Sequence, residues 1–364
     1  MSASLEGRID IRLHGRSGAV EIASSRPQLA QKLMAGRGPA EAADLAGLIF
    51  SLCGRAQKVA AQAACEAAQG IVPAGDVLAV RERQVLVELA QEHAWRLLLN
   101  WPEQAGLSPD MPSLLKLRQA AAEPGRFAEA LDGLLGTVLL GEAPGRWLAR
   151  DLAAFDAWRR DGRSLVARLF AELGEGVDPG VSRCALLPPL ADLEAESVRA
   201  LARLALDDAA FCARPVWRGE PAETGALART AAHPLLAAWI DRRGRGAGAR
   251  LLARLLELAE LPARLRGAQV GAPSVVRAWR LEENVGLAGV ETSRGLLIHV
   301  VRLGAGKVVD YRIVAPTEWN FHPAGPLARA LTDLAAGQAR ASRARLVAQS
   351  LDPCVAYGIE LLEQ

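Results

Sequence analysis

The sequence has no apolar run of about 18 residues that could span a membrane, and its first stretch, Met1-Ser2-Ala3-Ser4-Leu5-Glu6, has no apolar core of signal-peptide length. The chain is therefore expected to be soluble and cytoplasmic, with no membrane partner. An excess of one charge is also missing. Lysine plus arginine number 43 and aspartate plus glutamate 41, leaving a net charge of +2. Nucleic-acid binding needs basic residues gathered on one face, so no nucleic-acid partner is expected. The local cluster Arg242, Arg243 and Arg245 sits beside Asp241 and reads as a solvated helix end. Cysteine is scarce. Cys53, Cys65, Cys184, Cys212 and Cys354 are odd in number, scattered, and contain no C-x-x-C pair. That spacing excludes a disulfide framework and a tetrahedral zinc site.

What is present is helix-forming and apolar. With 364 residues, 51% of them hydrophobic, the chain can bury a substantial core. Ile9, Ile11 and Leu13 alternate, as do Val20 and Ile22, with Gly15 and Gly18 between them, so residues 1–27 read as a β hairpin. Residues 28–270 read as a helical body, rich in alanine and leucine and punctuated by proline and glycine. Helical spacing runs from Val80 to Asn100, where Trp101-Pro102 is expected to end it, and another helix is expected from Gly246 to Leu261. Residues 285–315 read as a second hairpin turning at Gly304-Ala305-Gly306-Lys307, and residues 325–364 as a C-terminal helix and tail. With no internal repeat or linker, the expectation is one mainly helical α+β body with small N-terminal and C-terminal β elements.

Two cysteines stand in suggestive surroundings. Cys53 precedes Gly54, near Arg55 and Lys58, where a helix starts; Cys354 follows Pro353, which is read as starting a further element. Cations and helix N-termini favour the thiolate that binds metals. The plain alternative is that each cysteine packs as a small hydrophobe, which is the reading kept for Cys65, Cys184 and Cys212.

Several segments, in order, resemble one family. These are Leu5-Glu6-Gly7-Arg8-Ile9, Gly36-Arg37-Gly38-Pro39, Ser51-Leu52-Cys53-Gly54-Arg55-Ala56 and Glu223-Thr224-Gly225-Ala226-Leu227-Ala228-Arg229. Then come Glu291-Thr292-Ser293-Arg294-Gly295, Pro316-Thr317-Glu318-Trp319-Asn320 with Gly325-Pro326-Leu327, and Asp352-Pro353-Cys354-Val355-Ala356-Tyr357. Together they resemble the large subunit of nickel–iron hydrogenases, whose metals are held by R-x-C-G-x-C and D-P-C-x-x-C-x-x-H. The resemblance implies that family's large-subunit fold, and metal ligands at Cys53 and Cys354. It also implies that Arg294, Pro316 and Thr317 surround the iron's cyanide and carbon monoxide ligands. Glu6, Tyr357 and Glu360 fall at accessory positions.

The departures from the pattern matter as much. The sulfurs that bridge nickel to iron in the enzyme are replaced by Ala56 and Tyr357, the C-terminal histidine by Glu360, the opening arginine by Ser51, and a magnesium-binding glutamate by Gln31. The resemblance therefore implies no hydrogen turnover, no nickel and no enzyme. The end of the chain four residues after Glu360, without the extension that family processes, is expected of a protein that never receives nickel. With Glu92-His93 and Trp101-Pro102, the chain is most similar to the HupK/HoxV hydrogenase-maturation group. That likeness implies a carrier for Fe(CN)2CO, loaded by HypC/HypD-type chaperones and delivering to the hydrogenase large-subunit precursor. A metal-free adaptor of the same pathway is the alternative. His93 is read as packing rather than as a ligand.

Overall fold

A computed structural model describes residues 7–15, 18–50, 52–173, 178–268, 271–332, 334 and 340–362. Its strands are β1 (Arg8–His14), β2 (Val20–Ser24), β3 (Ala185–Leu186), β4 (Ala222–Glu223), β5 (Val276–Glu282), β6 (Val285–Thr292), β7 (Gly295–Gly304), β8 (Lys307–Val314) and β9 (Ala356–Leu362). All other regular elements are helical. The architecture is mainly helical α+β, as expected.

The alternation of Ile9, Ile11 and Leu13 does make a hairpin of β1 and β2, and it buries those three side chains completely. The hairpin also accepts a third strand. β9 pairs in parallel with β1, from Arg8↔Ala356 to His14↔Leu362, giving the order β2-β1-β9. The tail expected after the last helix is thus a strand that closes the chain on its own beginning. Pro353 starts no helix; it lies between the helix Arg340–Ser350 and β9.

The second β region is a four-stranded antiparallel meander, β5-β6-β7-β8, rather than a hairpin alone. β6 is buried at every residue. The helix Gly54–Gln69 lies against it, and the approach is as close as backbone allows. A Cβ on Gly286 would stand 2.2 Å from the Ala64 carbonyl oxygen. Alanine at positions 60, 61, 64 and 68 supplies the matching smooth face.

The predicted helix end at Trp101-Pro102 is not where the chain turns. Gly75–Trp95 continues through one π turn, Arg96–Asn100, into Trp101–Gln104. Pro102 has no N–H for the Leu98 carbonyl, and Asp110 N takes that acceptor at 2.9 Å, so the proline costs no lost partner. The central helix Ala247–Leu265 has buried residues on nearly every side, consistent with its leucine-rich sequence. The basic cluster is a helix end that is only partly solvated: Arg242 is exposed, Arg243 is not. Arg243 is buried, with its guanidinium over the Trp239 ring at 4.6 Å and 3.3 Å from Asp156. Among the described residues, no helix is long and apolar enough to cross a membrane.

The close packing at Gly286 gives a direct test. Gly286→Val should force the Gly54–Gln69 helix off the sheet and destabilise the fold by about 1–3 kcal/mol or more, as overpacking does. Urea unfolding within about 0.5 kcal/mol of the wild type would contradict that packing.

Candidate metal centre

Cys53 sits at the N-cap of the helix Gly54–Gln69, after the helix Pro39–Ile49. The glycine beside it serves helix packing. A Cβ on Gly54 would stand 2.6 Å from the Gly47 carbonyl oxygen, so the two helices can meet only without one. The free N–H groups of the new helix are taken by a carboxylate from elsewhere: Arg55 N and Ala56 N donate to Glu88 at 2.8 and 3.0 Å.

This cap reverses the charge expected at Cys53. Burial, then Cys354, then Glu88 push its thiol up to about 12, against the opposing influence of Arg294 and of the Gln57 amide. Lys58 is spent on Asp44 at 2.7 Å. The expectation of a ready thiolate therefore fails, chiefly because the thiol is buried, and further because Cys354 and the Glu88 carboxylate at the helix terminus stand against its charge. Metal binding at Cys53 must displace a proton.

Cys354 comes from the other end of the chain, on the bend before β9. Its Sγ lies 3.0 Å from Thr317 Oγ1. Thr317 stands in the helix Pro316–Asn320, where the N-cap is Ala315 and no side chain caps the terminus, so its hydroxyl faces sulfur instead of acting as a cap. Both cysteines are half-buried and unbridged, and each is near enough to Arg26 and Arg294 to raise those guanidiniums' proton affinity. Two sulfurs 301 positions apart in sequence thus share one site.

Arg294 reaches that site from the β6–β7 turn. Its Nη2 donates to Glu92 at 2.9 Å and its Nε lies 3.5 Å from Asp352 Oδ1. Its Nη1 is buried with no hydrogen-bond partner among the described residues. Glu291, in the same motif segment, is not its partner; it accepts from Arg229 at 2.7 Å and from Leu190 N at 2.8 Å. Asn320 holds the Arg294 turn in place. It donates to the carbonyls of Arg294 and Thr224 at 3.2 and 3.0 Å and accepts from Thr224 N at 3.0 Å. Three of the motif segments meet at that one amide.

Asp352 organises the far side. It is a non-glycine residue at φ 55, only 2% exposed, and touches Arg96 at 2.6 Å and Arg254 at 3.0 Å besides Arg294. Burial alone would raise its pKa, but Arg294, Arg96 and Arg254 outweigh burial and hold it below the usual carboxylate range.

Two clefts open beside the sulfurs. One of about 580 Å³ is lined by Arg96, Asp352, Pro353, Cys354 and Tyr357; the other, about 830 Å³, by Gly54, Arg55, Glu88 and Glu92; Leu52 borders both. Among the described residues there is no group of three or more histidine, cysteine, aspartate or glutamate side chains able to hold a metal. Any metal here would have two protein ligands and would need the rest from elsewhere.

The remaining sequence candidates fall as follows. Pro316 is buried at the start of its short helix, and Tyr357 lines the Cys354 cleft. Glu360 is not at the site; it lies on β9 with its carboxylate 3.3 Å from exposed Arg12, because strand alternation turns it to the surface. Glu6 and Ser51 lie outside the described residues. Gln31 is a structural bridge, accepting from Tyr311 N at 2.6 Å and donating to Val309 O at 3.1 Å. His93 is fully buried, 2.6 Å from Glu257, in a network with Arg229. Sequence reasoning missed Arg26, Glu88, Gln57 and His299. Arg26, paired with Glu318 at 2.8 Å, carries no motif that could have marked it.

Two measurements follow. Asp352→Asn leaves three buried guanidiniums short of a counter-charge and should cost about 3–5 kcal/mol; a loss below about 1 kcal/mol in urea unfolding would contradict the role given to Asp352. Burial pushes His299 down to about 3 and His93 down to about 4, both below the unfolded value of about 6.5. The unfolded chain therefore takes up protons first, so stability is complete above about pH 6.5 and declines as pH falls toward those values, by up to about 1.4 kcal/mol per pH unit for each histidine. The urea midpoint should drop between pH 7 and pH 4, and a flat profile would contradict their burial as neutral rings.

Comparison with known proteins bears on the family and the fold. Residues 249–360 match the family model for nickel-dependent hydrogenase. The reduced Ni-Fe-Se hydrogenase of Desulfomicrobium baculatum shares the fold with a TM-score of 0.58 at 14% identity, over 93% of this chain and 94% of that one. The Desulfovibrio vulgaris Hildenborough Ni-Fe-Se hydrogenase gives 0.57 at 16%, over 92% and 93%. At the sequence level, the hydrogenase expression/formation protein HoxV of Cupriavidus necator is 35% identical over 97% of this chain and 96% of its own length. HupK of Rhizobium leguminosarum bv. viciae is 33% identical over 95% and 93%. With its large-subunit fold and only one cysteine left in each motif, the chain belongs to the HupK/HoxV family of hydrogenase expression/formation proteins.

Proposed function

We propose that this chain is a non-enzymatic carrier for the Fe(CN)2CO fragment of a nickel–iron hydrogenase, held by Cys53 and Cys354 during maturation. The observation that carries this reading is Arg294, whose charge interacts with both cysteines and whose Nη1 is buried with no hydrogen-bond partner among the described residues. A buried donor without an acceptor is costly, and a cyanide nitrogen is an acceptor of the right polarity. Thr317 offers a second polar group next to Cys354. Such a cargo needs few protein ligands, because Fe(CN)2CO brings three of its own and two soft thiolates suit low-spin iron. Iron(II), two cyanides and two thiolates sum to a charge of −2, and Arg26 and Arg294 stand close enough to both sulfurs to offset it. Nickel has no bridging sulfurs here, since Ala56 and Tyr357 occupy those positions. HypC/HypD-type chaperones as donors, the large-subunit precursor as acceptor, and a cytoplasmic setting complete the reading.

The competing reading, a metal-free adaptor, draws on the protonated state that burial imposes on Cys53. Infrared spectroscopy of protein purified from a maturation-competent host separates the two. Cyanide and carbonyl stretching bands are expected, lost in Cys53→Ala and in Cys354→Ala, with the cyanide bands shifted in Arg294→Leu. A silent spectrum in protein that still binds its maturation partners would replace the carrier with the adaptor.

A further inference from the structure

A line of buried hydrogen bonds runs from the sheet to the first sulfur. Gln57, one turn beyond Cys53, places its Nε2 3.6 Å from Cys53 Sγ and its Oε1 2.9 Å from His299 Nε2. His299 on β7 places Nδ1 2.7 Å from the Tyr311 hydroxyl on β8. Gln57 is 3% exposed and the other two are fully buried. The maturation reading leaves all three without a role.

The polarity of this line follows from counting donors. Among the described residues, the Tyr311 hydroxyl has His299 Nδ1 as its side-chain partner. A buried hydroxyl with one acceptor in reach donates to it. His299 Nδ1 is then bare, and the neutral ring carries its proton on Nε2. That N–H donates to Gln57 Oε1, which fixes the amide and turns its NH2 toward the sulfur. Reversing the direction would leave the buried Tyr311 O–H without an acceptor among those residues. The arrangement therefore presents a donor to Cys53, which suits a thiolate or a metal-bound sulfur better than a thiol.

We infer that Tyr311, His299 and Gln57 form a one-way donor chain in which Gln57 is a positioning residue that orients Cys53 and tunes it as an iron ligand. The inference rests on the carrier reading for its ligand, while its polarity stands independently. A hydrogen bond to the sulfur draws electron density from it, so the iron has less to return to bound carbon monoxide. Cys354 meets a threonine hydroxyl instead, so the two ligands are held by different means: one by a line anchored in the sheet, the other by a single neighbour.

Two readouts test this. In metal-free protein labelled with 15N-histidine, the His299 ring, identified by its loss in His299→Phe, should carry its proton on Nε2 with Nδ1 bare; the opposite tautomer overturns the chain whatever the protein carries. In protein from a maturation-competent host, the carbonyl band should move to lower wavenumber in Gln57→Leu, and by less in Tyr311→Phe, which keeps the ring packing. A purely structural role would lower the unfolding midpoint in both variants and leave the band where it is, which would overturn the tuning. If the wild type shows no bands at all, the carrier reading falls and the ligand role with it, and the tautomer measurement then reports on the polarity alone.

Discussion

The site hangs on one buried carboxylate. Asp352, 2% exposed, faces Arg96, Arg254 and Arg294, which come from three separate parts of the chain. A lone buried charge would be expelled or neutralised, and here each charge is tolerable only because the others are present. Such a cluster contributes more to uniqueness of arrangement than to net stability. Its consequence is positional. Asp352 sets the bend that delivers Cys354 two residues later and anchors one side of Arg294, while Glu92 anchors another. What remains of that guanidinium, Nη1, is buried without a hydrogen-bond partner among the described residues, on a side chain whose charge interacts with both cysteines.

The two sulfurs reach this point by unlike routes. Cys53 stands at a helix terminus that is clamped by Gly47 against Gly54 and capped by Glu88. Glu88 is itself pushed up to about 7 by burial, against the donors that favour its charge. Cys354 is placed by the pairing of β9 with β1, which joins the two ends of the chain in one sheet. The fold is shared with Ni-Fe-Se hydrogenases at 14–16% identity. In this chain it brings Cys53 and Cys354 to one place, with Ala56 and Tyr357 three residues beyond them.

Much of the architecture could be read from periodicity. The alternation Ile9, Ile11, Leu13 and the glycine turn at 304–306 announced strands that are present. β5 escaped because Val276–Glu282 mixes arginine, tryptophan and glutamate along a half-exposed edge, without an apolar run. β9 escaped because a short strand parallel to β1 is stabilised by a partner 348 positions away, which no local pattern reports. At the site, motif order singled out Cys53, Cys354, Arg294 and Thr317, and the fold brings these four together. Glu360 belonged to the same motif, yet strand alternation turns it outward to Arg12.

The sequence by itself determined which chemical groups are available: two thiols in motif context, alanine and tyrosine at positions 56 and 357, and a near-neutral charge with no apolar run long enough to cross a membrane. Only the tertiary structure decided what state those groups are in. The Cys53 thiol holds its proton chiefly because the fold buries it, with Cys354 and then the Glu88 carboxylate that caps its helix adding to the effect. Arg294 keeps Nη1 without a hydrogen-bond partner among the described residues, while Nη2 is held by Glu92 and Nε stands 3.5 Å from Asp352. Protonation and hydrogen-bond satisfaction depend on the distances between charges and on their exclusion from water. Both are properties of the folded arrangement that a one-dimensional pattern does not contain.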